Sequence, residues 1–498
     1  MPTCSRRNFL KALGLGVAAL ALPRGVREAA AARAAPAKRL NFVFILMDDL
    51  GWRDIGAYGS TFYETPAIDR LAAGGMKFTS GYAACPVCSP TRASIQTGKF
   101  PARLHLTDYI PGARQGKLIP PTYLHQLPLE EVTLAEALKE AGYATGFVGK
   151  WHLGAPPEFF PDKQGYDVNV AGCGKGSPPS YFSPYKNPVL PDGPPGEYLT
   201  DRLTDEALKF IDAHRAGPFM VMLSHHAVHT PLQAKKDLAE KYQAKAAALP
   251  PPAGPRTIPE GKSEARQVQD HPVYAGMVQS MDESVGRVLK RLDDLGLADS
   301  TVVIFMSDNG GLSTAEGSPT SNLPLRAGKG WLYEGGVREP LIIRWPGVTR
   351  PGSACDVPVT STDFYPTMLE MAGLPLRPAQ HADGVSLVPL LKGGSSLDRK
   401  ALYWHYPHYG NQGGSPGGAV RAGDYKLIEF FETSRVELYN LKDDLGERNN
   451  LAARMPQKAA ELREMLHAWR KEVDASMPTP NPEGAAEPAG KTKGKRKK

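Results

Sequence analysis

The sequence predicts an α/β protein in which helices sandwich a large, mainly parallel sheet, followed by a smaller carboxyl-terminal domain of antiparallel strands plus a helix. Two patterns support this prediction. Short apolar runs recur along the 498 residues, and segments with apolar residues at i, i+3, i+4 and i+7 lie between them. Strands that are apolar on both faces and alternate with helices are typical of parallel sheets.

Four of the apolar runs end in polar clusters. They are NFVFILM (41–47) before Asp48-Asp49, YATGFVGK (143–150) before Trp151-His152, PFMVMLS (218–224) before HHAVH, and TVVIFMS (301–307) before Asp308-Asn309. The helical patterns VTLAEALKEAG (132–142) and MVQSMDESVGRVLKRLDDLG (277–296) precede the second and fourth runs. Sites of parallel α/β proteins lie beyond the carboxyl ends of the strands. We therefore expect the four clusters to meet in one site.

The carboxyl-terminal part of the chain has a different pattern. The runs LYWHY, AVRAGDYKLIEFF and VELYNL are separated by glycine-rich or polar turns, and a helix with one apolar face begins at Pro456. The proline-rich stretch 248–267 predicts a loop insertion, because it suits neither a helix nor a core strand. The expected organisation is a signal peptide (1–35), an α/β domain that carries the expected site (39–380), a smaller α+β domain (381–478) and a disordered basic tail (479–498).

The charge distribution argues against a nucleic-acid partner. The chain has a formal net charge of +7, but residues 1–35 contribute +5 and the tail KTKGKRKK (491–498) contributes +6, which leaves −4 for the body. A slightly acidic body does not favour DNA or RNA.

The amino terminus predicts export. It reads SRRNFLK, followed by the apolar run ALGLGVAALAL (12–22) and small residues up to Ala35. The run is shorter than the roughly 20 residues of a membrane-spanning helix. An arginine pair, a short apolar region and an alanine-rich cleavage zone are typical of a twin-arginine signal peptide. We therefore expect the twin-arginine translocation machinery as a partner and a periplasmic or secreted mature protein without a membrane span.

The cysteines are too few for a disulfide scaffold in a chain of this length. They are Cys4, which would leave with the signal peptide, and Cys85, Cys88, Cys173 and Cys355. Twin-arginine export carries proteins that folded in the reducing cytosol, so structural disulfides are not expected. Cys85-Pro-Val-Cys88 has the spacing of a redox pair or of half a zinc site. Spacing alone does not decide between these two functions and a third possibility, in which only one of the two thiols has a chemical role.

The polar residues at two strand ends favour a hard cation. They are Asp48, Asp49, Asp308 and Asn309. Three carboxylates and an amide suit Ca²⁺ or Mg²⁺, and zinc is less favoured without a converging set of histidine and cysteine. Adjacent carboxylates also repel each other unless a cation lies nearby. The alternative is that Asp-Asn-Gly-Gly forms a turn and Asp-Asp caps a helix.

Further titratable residues follow predicted strands or lie in glycine-rich loops. They are Arg92, Lys150, His152, His229 and Lys329. Beside a metal, such a set would hold a tetrahedral oxyanion and stabilise the charge that develops as an ester breaks. Any one Lys or Arg taken alone is more readily explained as a solvated surface residue, and the prediction rests on the whole set.

Several blocks of the chain resemble one enzyme family. CSPTRASIQTGKFPARL (88–104) is similar to the signature of type I sulfatases, whose core is Cys-x-Pro-x-Arg followed shortly by Thr-Gly. FILMDDLGW, GFVGKWHLG, SDNGG and GKGWLYEGGVREPLIIRWPG resemble the other blocks of the family, in the same order. The resemblance extends over residues 39–478 and implies the alkaline-phosphatase-like fold.

The resemblance also implies roles for the candidate residues. Cys88 matches the residue that a formylglycine-generating or equivalent maturing enzyme oxidises to formylglycine, and Arg92 matches the residue that steadies it. The other implied roles are Ca²⁺ ligation by Asp48, Asp49, Asp308, Asn309 and the formylglycine oxygen at position 88, sulfate binding by Lys150 and Lys329, sulfate release by His152, and contact with the leaving oxygen by His229. Some members of the family have a further residue, a serine or an asparagine, that binds the sulfate. Lys175, Ser177 and Ser180 are candidates for this role, and the resemblance does not select one of them.

The implied reaction is hydrolysis of a sulfate ester. A hydrated aldehyde at position 88 attacks sulfur while His229 or Lys329 protonates the departing sugar or aryl oxygen. The second hydroxyl lets the intermediate collapse to aldehyde and sulfate, with His152 accepting the proton. Cys85 is then a packed thiol and not a partner of Cys88, because a disulfide would consume the sulfur.

Export fits an extracellular substrate, and we expect a sulfated sugar or glycan fragment, with aryl sulfates as small analogues. His405 and His408 in LYWHYPHYGNQGGSPGG are expected to contact the sugar, because aromatic residues with polar tips suit a sugar ring, and interdomain packing is the alternative. Three other functions stay open: a phosphonate monoester or phosphodiester hydrolase of the same superfamily, a sulfated-glycan-binding protein with unmodified Cys88, and, least favoured, a Cys-x-x-Cys oxidoreductase.

Overall fold

The structure is a computed structural model that describes residues 39–482, within which the chain from Leu40 onward forms one compact unit. The predicted signal peptide (1–35) and the lysine-rich end of the chain (491–498) lie outside the described residues. The chain builds two main sheets, one on each side of residue 380. The domain boundary at that residue stays a prediction, since the described chain is one compact unit.

The strands and helices of residues 39–482 have the following bounds. The strands are β1 (Asn41–Met47), β2 (Met76–Tyr82), β3 (Leu118–Ile119), β4 (Ala144–Gly149), β5 (Val168–Val170), β6 (Phe219–Ser224), β7 (Thr257–Glu260), β8 (Ser263–Arg266), β9 (Thr301–Ser307), β10 (Arg338–Arg344), β11 (Ser353–Cys355), β12 (Val359–Thr360), β13 (Leu402–Tyr406), β14 (Gly417–Ala422), β15 (Tyr425–Phe430), β16 (Arg435–Asn440) and β17 (Thr479–Pro480). The α-helices are α1 (Pro66–Gly74), α2 (Cys88–Thr97), α3 (Leu134–Glu140), α4 (Leu199–His214), α5 (Lys236–Ala247), α6 (Pro272–Asp294), α7 (Glu334–Val337), α8 (Phe364–Met371), α9 (Val388–Leu391) and α10 (Pro456–Glu472).

The larger sheet has the strand order β11-β2-β10-β9-β1-β6-β4-β5, and β12 pairs with β2. Strands β9, β1, β6, β4 and β5 are parallel neighbours, with Val43 of β1 opposite both Val221 and Val303. Strand β10 runs antiparallel to both β9 and β2. The predicted, mainly parallel sheet is confirmed, and β10 is its exception.

Helices cover both faces of this sheet, which explains why its strands are apolar throughout. Val43, Ile45 and Met47 of β1 enter a core with α1, α4 and α6, whereas Phe42, Phe44 and Leu46 enter a second core with α2, α3 and α8. Because side chains alternate along a strand, every second residue of β1 enters each core. Burial of each Phe or Leu side chain stabilises the fold by about 1.5–3 kcal/mol.

The predicted helices form where their sequence signals place them. The 132–142 pattern forms α3, which begins with a capping box: Thr133 Oγ1 accepts from the N–H of Glu136, whose carboxylate accepts from the N–H of Thr133. The 277–296 pattern falls largely within α6, which begins earlier, at Pro272.

The smaller sheet is antiparallel, in the order β13-β14-β15-β16. Helix α10 covers one face through Leu462, Leu466 and Trp469, which pack on the sheet residues Val420 and Leu427. The opposite face packs through residues such as Trp404 and Tyr406 against Tyr82 and Trp331, which belong to the part of the chain that builds the larger sheet. The predicted carboxyl-terminal antiparallel sheet with one helix is confirmed.

Two sequence-based expectations need correction. The 248–267 stretch is not only a loop, because β7 and β8 form a two-stranded ribbon whose open edges tolerate Pro259. The predicted disordered tail does not begin at residue 479, because β17 pairs with β3 and the N–H of Asn481 donates to the carbonyl of Lys117. In residues 39–482, no helix combines the length and apolarity that a membrane crossing needs.

Candidate active site

The carboxyl ends of four neighbouring strands bring the predicted polar clusters to one edge of the larger sheet. These strands are β9, β1, β6 and β4. The approach between β4 and β6 requires a glycine: Gly149 has a φ of 113°, and a Cβ there would lie 1.8 Å from the carbonyl oxygen of Ser224. The N–H of Lys150 donates to that same oxygen at 2.7 Å. The strand ends therefore meet as expected.

Fully buried oxygen donors form the centre of this edge. They are the side chains of Asp48, Asp49, Asp308 and Asn309. The N–H of Asp49 lies 3.3 Å from Asp308 Oδ1, and Asn309 Nδ2 donates to Asp49 Oδ1 at 2.8 Å. Burial raises the pKa of Asp48, and the neighbouring charges of Asp308 and Asp49 raise it further. The charge of Lys150 lowers this pKa but does not outweigh them. Carboxyl groups whose ionised forms repel one another are therefore concentrated where the sequence predicts a cation.

Two buried lysines neutralise part of this charge. Lys150 Nζ lies 2.7 Å from Asp48 Oδ2, and Lys329 Nζ lies 2.8 Å from Asp49 Oδ1. Burial alone would raise the pKa of Asp49, but the charges of Lys329, His229 and Lys150 outweigh burial and lower that pKa. Burial would also lower the pKa of Lys329, but Asp49 outweighs it and raises that pKa. Lys329 is therefore protonated at neutral pH.

Cys88 is the first residue of α2 and is 3% exposed. Its Sγ lies 3.2 Å from Nδ1 of His152. Burial raises the pKa of the Cys88 thiol, although the charges of Lys150 and Lys329 oppose that shift. A thiol is a weak nucleophile when it is not ionised. The environment of Cys88 therefore does not activate it as a cysteine.

Cys85 is a buried thiol in the middle of the loop between β2 and α2. It is 1% exposed, and its Sγ lies 4.0 Å from the carbonyl oxygen of Thr107. Cys85, Cys88, Cys173 and Cys355 are all free thiols. Cys85 thus packs beside the site without being bonded to Cys88.

His152 presents an unprotonated ring nitrogen to residue 88. Its Nε2 lies 2.6 Å from the carbonyl oxygen of Ile110, which can only accept, so Nε2 carries the proton. Burial and the charge of Lys150 lower the pKa of His152 well below its ordinary value. Its Nδ1, which faces Cys88, therefore carries a lone pair that can accept a proton.

Arg92 lies one helical turn after Cys88, on the same side of α2. Its Nε and Nη2 lie 2.8 Å and 2.7 Å from Asp308 Oδ2. Its Nη1 donates to the carbonyl oxygen of Lys150 at 2.8 Å and to Ser224 Oγ at 2.7 Å. The guanidinium therefore connects α2 to the ends of β4, β6 and β9 and fixes the start of the helix.

His229 lies at the solvent side of the cluster. Its side chain is 14% exposed, compared with 0% for Lys150 and 5% for Lys329. Nδ1 donates to the carbonyl oxygen of Thr230 at 2.7 Å, so Nε2, 3.7 Å from Asp49 Oδ2, faces the cluster. Burial and Lys329 lower the pKa of His229 to about 4, although Asp49 opposes them.

The cluster has the donor chemistry of a cation site. Ligand atoms of Asp48, Asp49 and His229 lie within 4.8 Å of one another. Asp48 Oδ1 and Asn309 Oδ1 are buried without a hydrogen-bond partner, which is costly unless another group satisfies them. Carboxylate and amide oxygens are the ligands that Ca²⁺ prefers. The oxygen donors therefore fit a hard cation, and His229 lies beside them without being a preferred ligand of such an ion.

The prediction for His405 needs correction. Its ring is 4% exposed, Nε2 is paired with the carbonyl oxygen of Ser476 at 2.9 Å, and the ring packs beside Phe431. His405 therefore belongs to the packing between the smaller sheet and α10. His408 is 2% exposed and its Nε2 lies 2.8 Å from Thr107 Oγ1, so it fixes the segment before Ile110 and contacts no catalytic candidate directly.

The three serine and lysine candidates lie near His152 but have other hydrogen-bond partners or face solvent. Ser177 is exposed, Lys175 Nζ donates to the carbonyl of Lys186, and Ser180 Oγ binds Gln233 Oε1. The backbone of this segment does reach the site, since a Cβ on Gly176 would lie 2.5 Å from the ring of His152.

Two partners of the site were not found from the sequence. Ser224 accepts from Arg92, and its only signal is a hydroxyl residue placed as the last residue of an apolar strand. The carbonyl of Ile110, which fixes the proton on His152, is a backbone group and has no sequence signal.

Comparison with known proteins assigns relatives to both parts of the chain. The Sulfatase family model matches residues 40–374, and the model described as N-sulphoglucosamine sulphohydrolase, C-terminal, matches residues 327–474. The N-acetylgalactosamine-6-sulfatase of Canis lupus familiaris is 35% identical, over 83% of this chain and 76% of its own length. Arylsulfatase A of Homo sapiens is 34% identical, over 91% of this chain and 92% of its own. The crystal structure of Ps i-CgsB in complex with k-i-k-neocarrahexaose has a TM-score of 0.72 at 27% identity and covers 90% of this chain and 96% of the other.

Proposed function

The chain belongs to the type I sulfatases of the alkaline-phosphatase-like superfamily, which are sulfuric ester hydrolases, and from this premise we propose that it removes sulfate from a sulfated sugar or glycan fragment. We further propose that it does so with a formylglycine derived from Cys88 and with bound Ca²⁺. One observation carries this proposal: the buried residue 88, whose thiol pKa is raised by burial, faces the lone pair of His152, with Arg92 and two lysines around it.

The two groups that the chain would acquire have distinct tasks. Formylglycine at position 88 would supply, as its hydrate, the oxygen that attacks sulfur and a second hydroxyl through which sulfate is released. Ca²⁺, held by Asp48, Asp49, Asp308, Asn309 and the oxygen of residue 88, would supply positive charge beside the sulfate.

The residues of the chain bind and orient the ester. Lys150 and Lys329 hold two ammonium groups against Asp48 and Asp49, and we propose that both groups bind sulfate oxygens beside the cation. Arg92 holds the start of α2, and so residue 88, through its bonds to Asp308 and Ser224. His152 Nδ1 is unprotonated and would accept a proton from a hydroxyl at residue 88.

The leaving oxygen needs a proton from the solvent side of the site, where His229 and Lys329 lie. The low pKa of His229 leaves it unprotonated at neutral pH, whereas the raised pKa of Lys329 keeps that side chain charged. Lys329 therefore has a proton to donate, although its raised pKa makes it a weak acid. A neutral His229, whose proton is on Nδ1, presents a lone pair at Nε2 and would accept a hydrogen bond from a hydroxyl of the leaving group.

The substrate class is supported by relatives whose names include a sugar. The enzyme of Canis lupus familiaris is an N-acetylgalactosamine-6-sulfatase, and Ps i-CgsB was crystallised with an oligosaccharide. We extend from them only the class of substrate, a sulfate ester on a sugar.

We also propose that a formylglycine-generating or equivalent enzyme matures the chain and that the twin-arginine machinery exports it to the periplasm or beyond. The motif around Cys88 and the SRRNFLK segment with its short apolar run support these two steps. Cell fractionation of the wild type and of a variant with both arginines replaced by lysine tests the export.

A substrate panel tests the proposed activity. The protein is produced with a maturing enzyme, and the converted fraction at residue 88 is measured. It is then assayed with sulfated mono- and oligosaccharides, 4-nitrophenyl sulfate, bis(4-nitrophenyl) phosphate and a phosphonate monoester. We expect kcat/KM to be highest for a sulfated sugar. Preference for either phosphorus ester would establish the alternative hydrolase, and glycan binding without turnover by unmodified protein would establish a binding protein.

A further inference from the structure

A carboxylate at the mouth of the site connects three segments of the chain. Glu316 Oε1 accepts from Asn411 Nδ2 at 2.7 Å and from Gln412 Nε2 at 2.8 Å. Its Oε2 accepts from Thr230 Oγ1 at 3.3 Å. Asn411 and Gln412 belong to the loop between β13 and β14, and Thr230 is the residue after His229. Glu316 therefore connects the smaller sheet to the loop that carries His229.

Glu316 is held in place by its surroundings. Its φ is 55°, in a turn in which the N–H of Ser318 donates to the carbonyl of Ala315 at 2.8 Å. A residue with a side chain adopts this region rarely and keeps it where its contacts require it. Gln412 is itself 2% exposed, and its carbonyl accepts from Trp331 Nε1 at 2.9 Å. Gln412 thus connects the Glu316 carboxylate to Trp331, which follows Lys329 by two residues.

The position of Glu316 is on the leaving-group side of the site. Its Oε2 accepts a hydrogen bond from Thr230, the residue that directly follows His229. Glu316, Thr230 and Asn411 are partly exposed, whereas the oxygen donors of the cation cluster are fully buried. The carboxylate therefore lies between the buried cluster and solvent, where the organic part of a sulfate ester would rest.

Among the residues that the structure describes, the hydrogen-bond donors to Glu316 leave part of its acceptor capacity unused. A carboxylate has about four acceptor positions, of which three are used by Asn411, Gln412 and Thr230. The remaining position is on Oε2, the oxygen that takes a single donor. All three donors are uncharged, so they hold the carboxylate without neutralising it. Such a group attracts a hydroxyl donor and repels an anion.

We propose that Glu316 is a specificity-determining residue that accepts a hydrogen bond from a hydroxyl of the leaving sugar and disfavours sugars with a second anion beside the scissile sulfate. This assignment rests on the proposed function and narrows its substrate class to units that are neutral apart from the sulfate that is removed. Asn411, Gln412 and Thr230 are positioning residues for Glu316.

The test compares three probes on protein whose conversion at residue 88 has been measured. The first is whichever of N-acetylgalactosamine 4-sulfate and 6-sulfate the wild type hydrolyses faster. The second is N-acetylgalactosamine 4,6-disulfate. The third is 4-nitrophenyl sulfate, which has no sugar hydroxyl. Thermal melting of each variant verifies that it is folded.

We expect Glu316→Ala to lower kcat/KM for the monosulfated sugar by about 10- to 100-fold, the loss of one hydrogen bond to a charged group. Its kcat/KM for 4-nitrophenyl sulfate should stay within about threefold of the wild type, because that probe lacks the donor. Glu316→Gln keeps the shape without the charge and should raise the rate on the disulfate relative to the monosulfate. The matched control Asn411→Ala keeps the carboxylate of Glu316. Its kcat/KM for the monosulfated sugar should therefore fall less than that of Glu316→Ala.

If Glu316→Ala lowered kcat/KM equally for the monosulfated sugar and for 4-nitrophenyl sulfate, this assignment would be overturned. Glu316 would then only hold the loops together. An unchanged ratio of disulfate to monosulfate in Glu316→Gln would overturn the charge selectivity. Both results are distinct from a failure of the proposed function, in which fully converted wild type would hydrolyse neither the sulfated sugars nor 4-nitrophenyl sulfate.

Discussion

Cys88 Sγ lies 3.2 Å from His152 Nδ1, and the other ring nitrogen of that histidine is fixed by the carbonyl of Ile110 at 2.6 Å. The histidine is neutral because burial lowers its pKa, and its lone pair faces residue 88. This geometry gives residue 88 a proton acceptor at its reacting atom. It suits a hydroxyl that must lose a proton better than a thiol whose pKa burial has raised.

His152→Ala should slow the release of sulfate more than the cleavage of the ester, because it removes the acceptor for the second hydroxyl. We expect kcat to fall by about 10²- to 10⁴-fold, the usual contribution of a positioned general base. Rapid mixing with 4-nitrophenyl sulfate should then show a burst of 4-nitrophenol followed by slow steady turnover. A variant without a burst, in which the first turnover is slowed as much as later ones, would exclude this role.

Arg92→Lys should lower kcat/KM by about 10²- to 10³-fold, comparable to the loss of one preorganised electrostatic group. A lysine cannot reproduce the planar set of bonds from Arg92 to Asp308, Ser224 and the Lys150 carbonyl. Ser224→Ala is the matched control, since it removes one acceptor and keeps the guanidinium. The values of kcat/KM are measured by steady-state kinetics on preparations with equal formylglycine content. A larger decrease of kcat/KM in Ser224→Ala than in Arg92→Lys would contradict the assigned role of the arginine.

The strand ends of the site could be predicted from the sequence because one physical rule places them. Runs such as residues 41–47 and 301–307 are apolar on both faces, so they must be interior strands of a covered sheet. The polar residues directly after such strands then fall at one edge. The order of the strands and the antiparallel direction of β10 depend on the crossings between elements, which the apolar patterns do not encode.

Other parts of the site had no usable sequence signal. The proton on His152 is placed by a backbone carbonyl, which every residue possesses, and only the folded loop shows that Ile110 provides it. His405 was misplaced because both faces of β13 are covered. Trp404 and Tyr406 face the larger sheet and His405 faces α10, but alternation alone does not say which face is which.

Removal of divalent cations with EDTA should lower both turnover and the melting temperature, because the buried carboxylates lose the charge that compensates them. A cation at 100 times its Kd stabilises the native state by about 2.7 kcal/mol. Added Ca²⁺ should restore both properties at a stoichiometry near one. Full turnover and an unchanged melting temperature in protein shown by elemental analysis to lack metal would exclude the cation site.

His225 should make the protein less stable in acid. It is fully buried, its Nε2 lies 2.9 Å from Ser284 Oγ, and burial lowers its pKa to about 3. The unfolded chain takes up a proton near pH 6.5 while the folded chain does not, so below that pH stability falls by about 1.4 kcal/mol per pH unit.

His225→Gln removes this titration while keeping a polar side chain near Ser284. We therefore expect the loss of unfolding free energy between pH 7.5 and pH 4.5 to be smaller in the variant than in the wild type, as measured by urea denaturation. Identical losses in the two proteins would show that His225 is protonated in the folded state.

The state of residue 88 in active protein tests the central claim most directly. Mass spectrometry of the peptide that contains Cys85 and Cys88 is combined with turnover of 4-nitrophenyl sulfate across preparations that differ in maturation. We predict an aldehyde at residue 88, a free thiol at Cys85, activity proportional to the aldehyde fraction, and no turnover in Cys88→Ala despite an unchanged melting temperature. Full turnover by protein in which Cys88 is an unmodified thiol or is disulfide-bonded to Cys85 would contradict the claim.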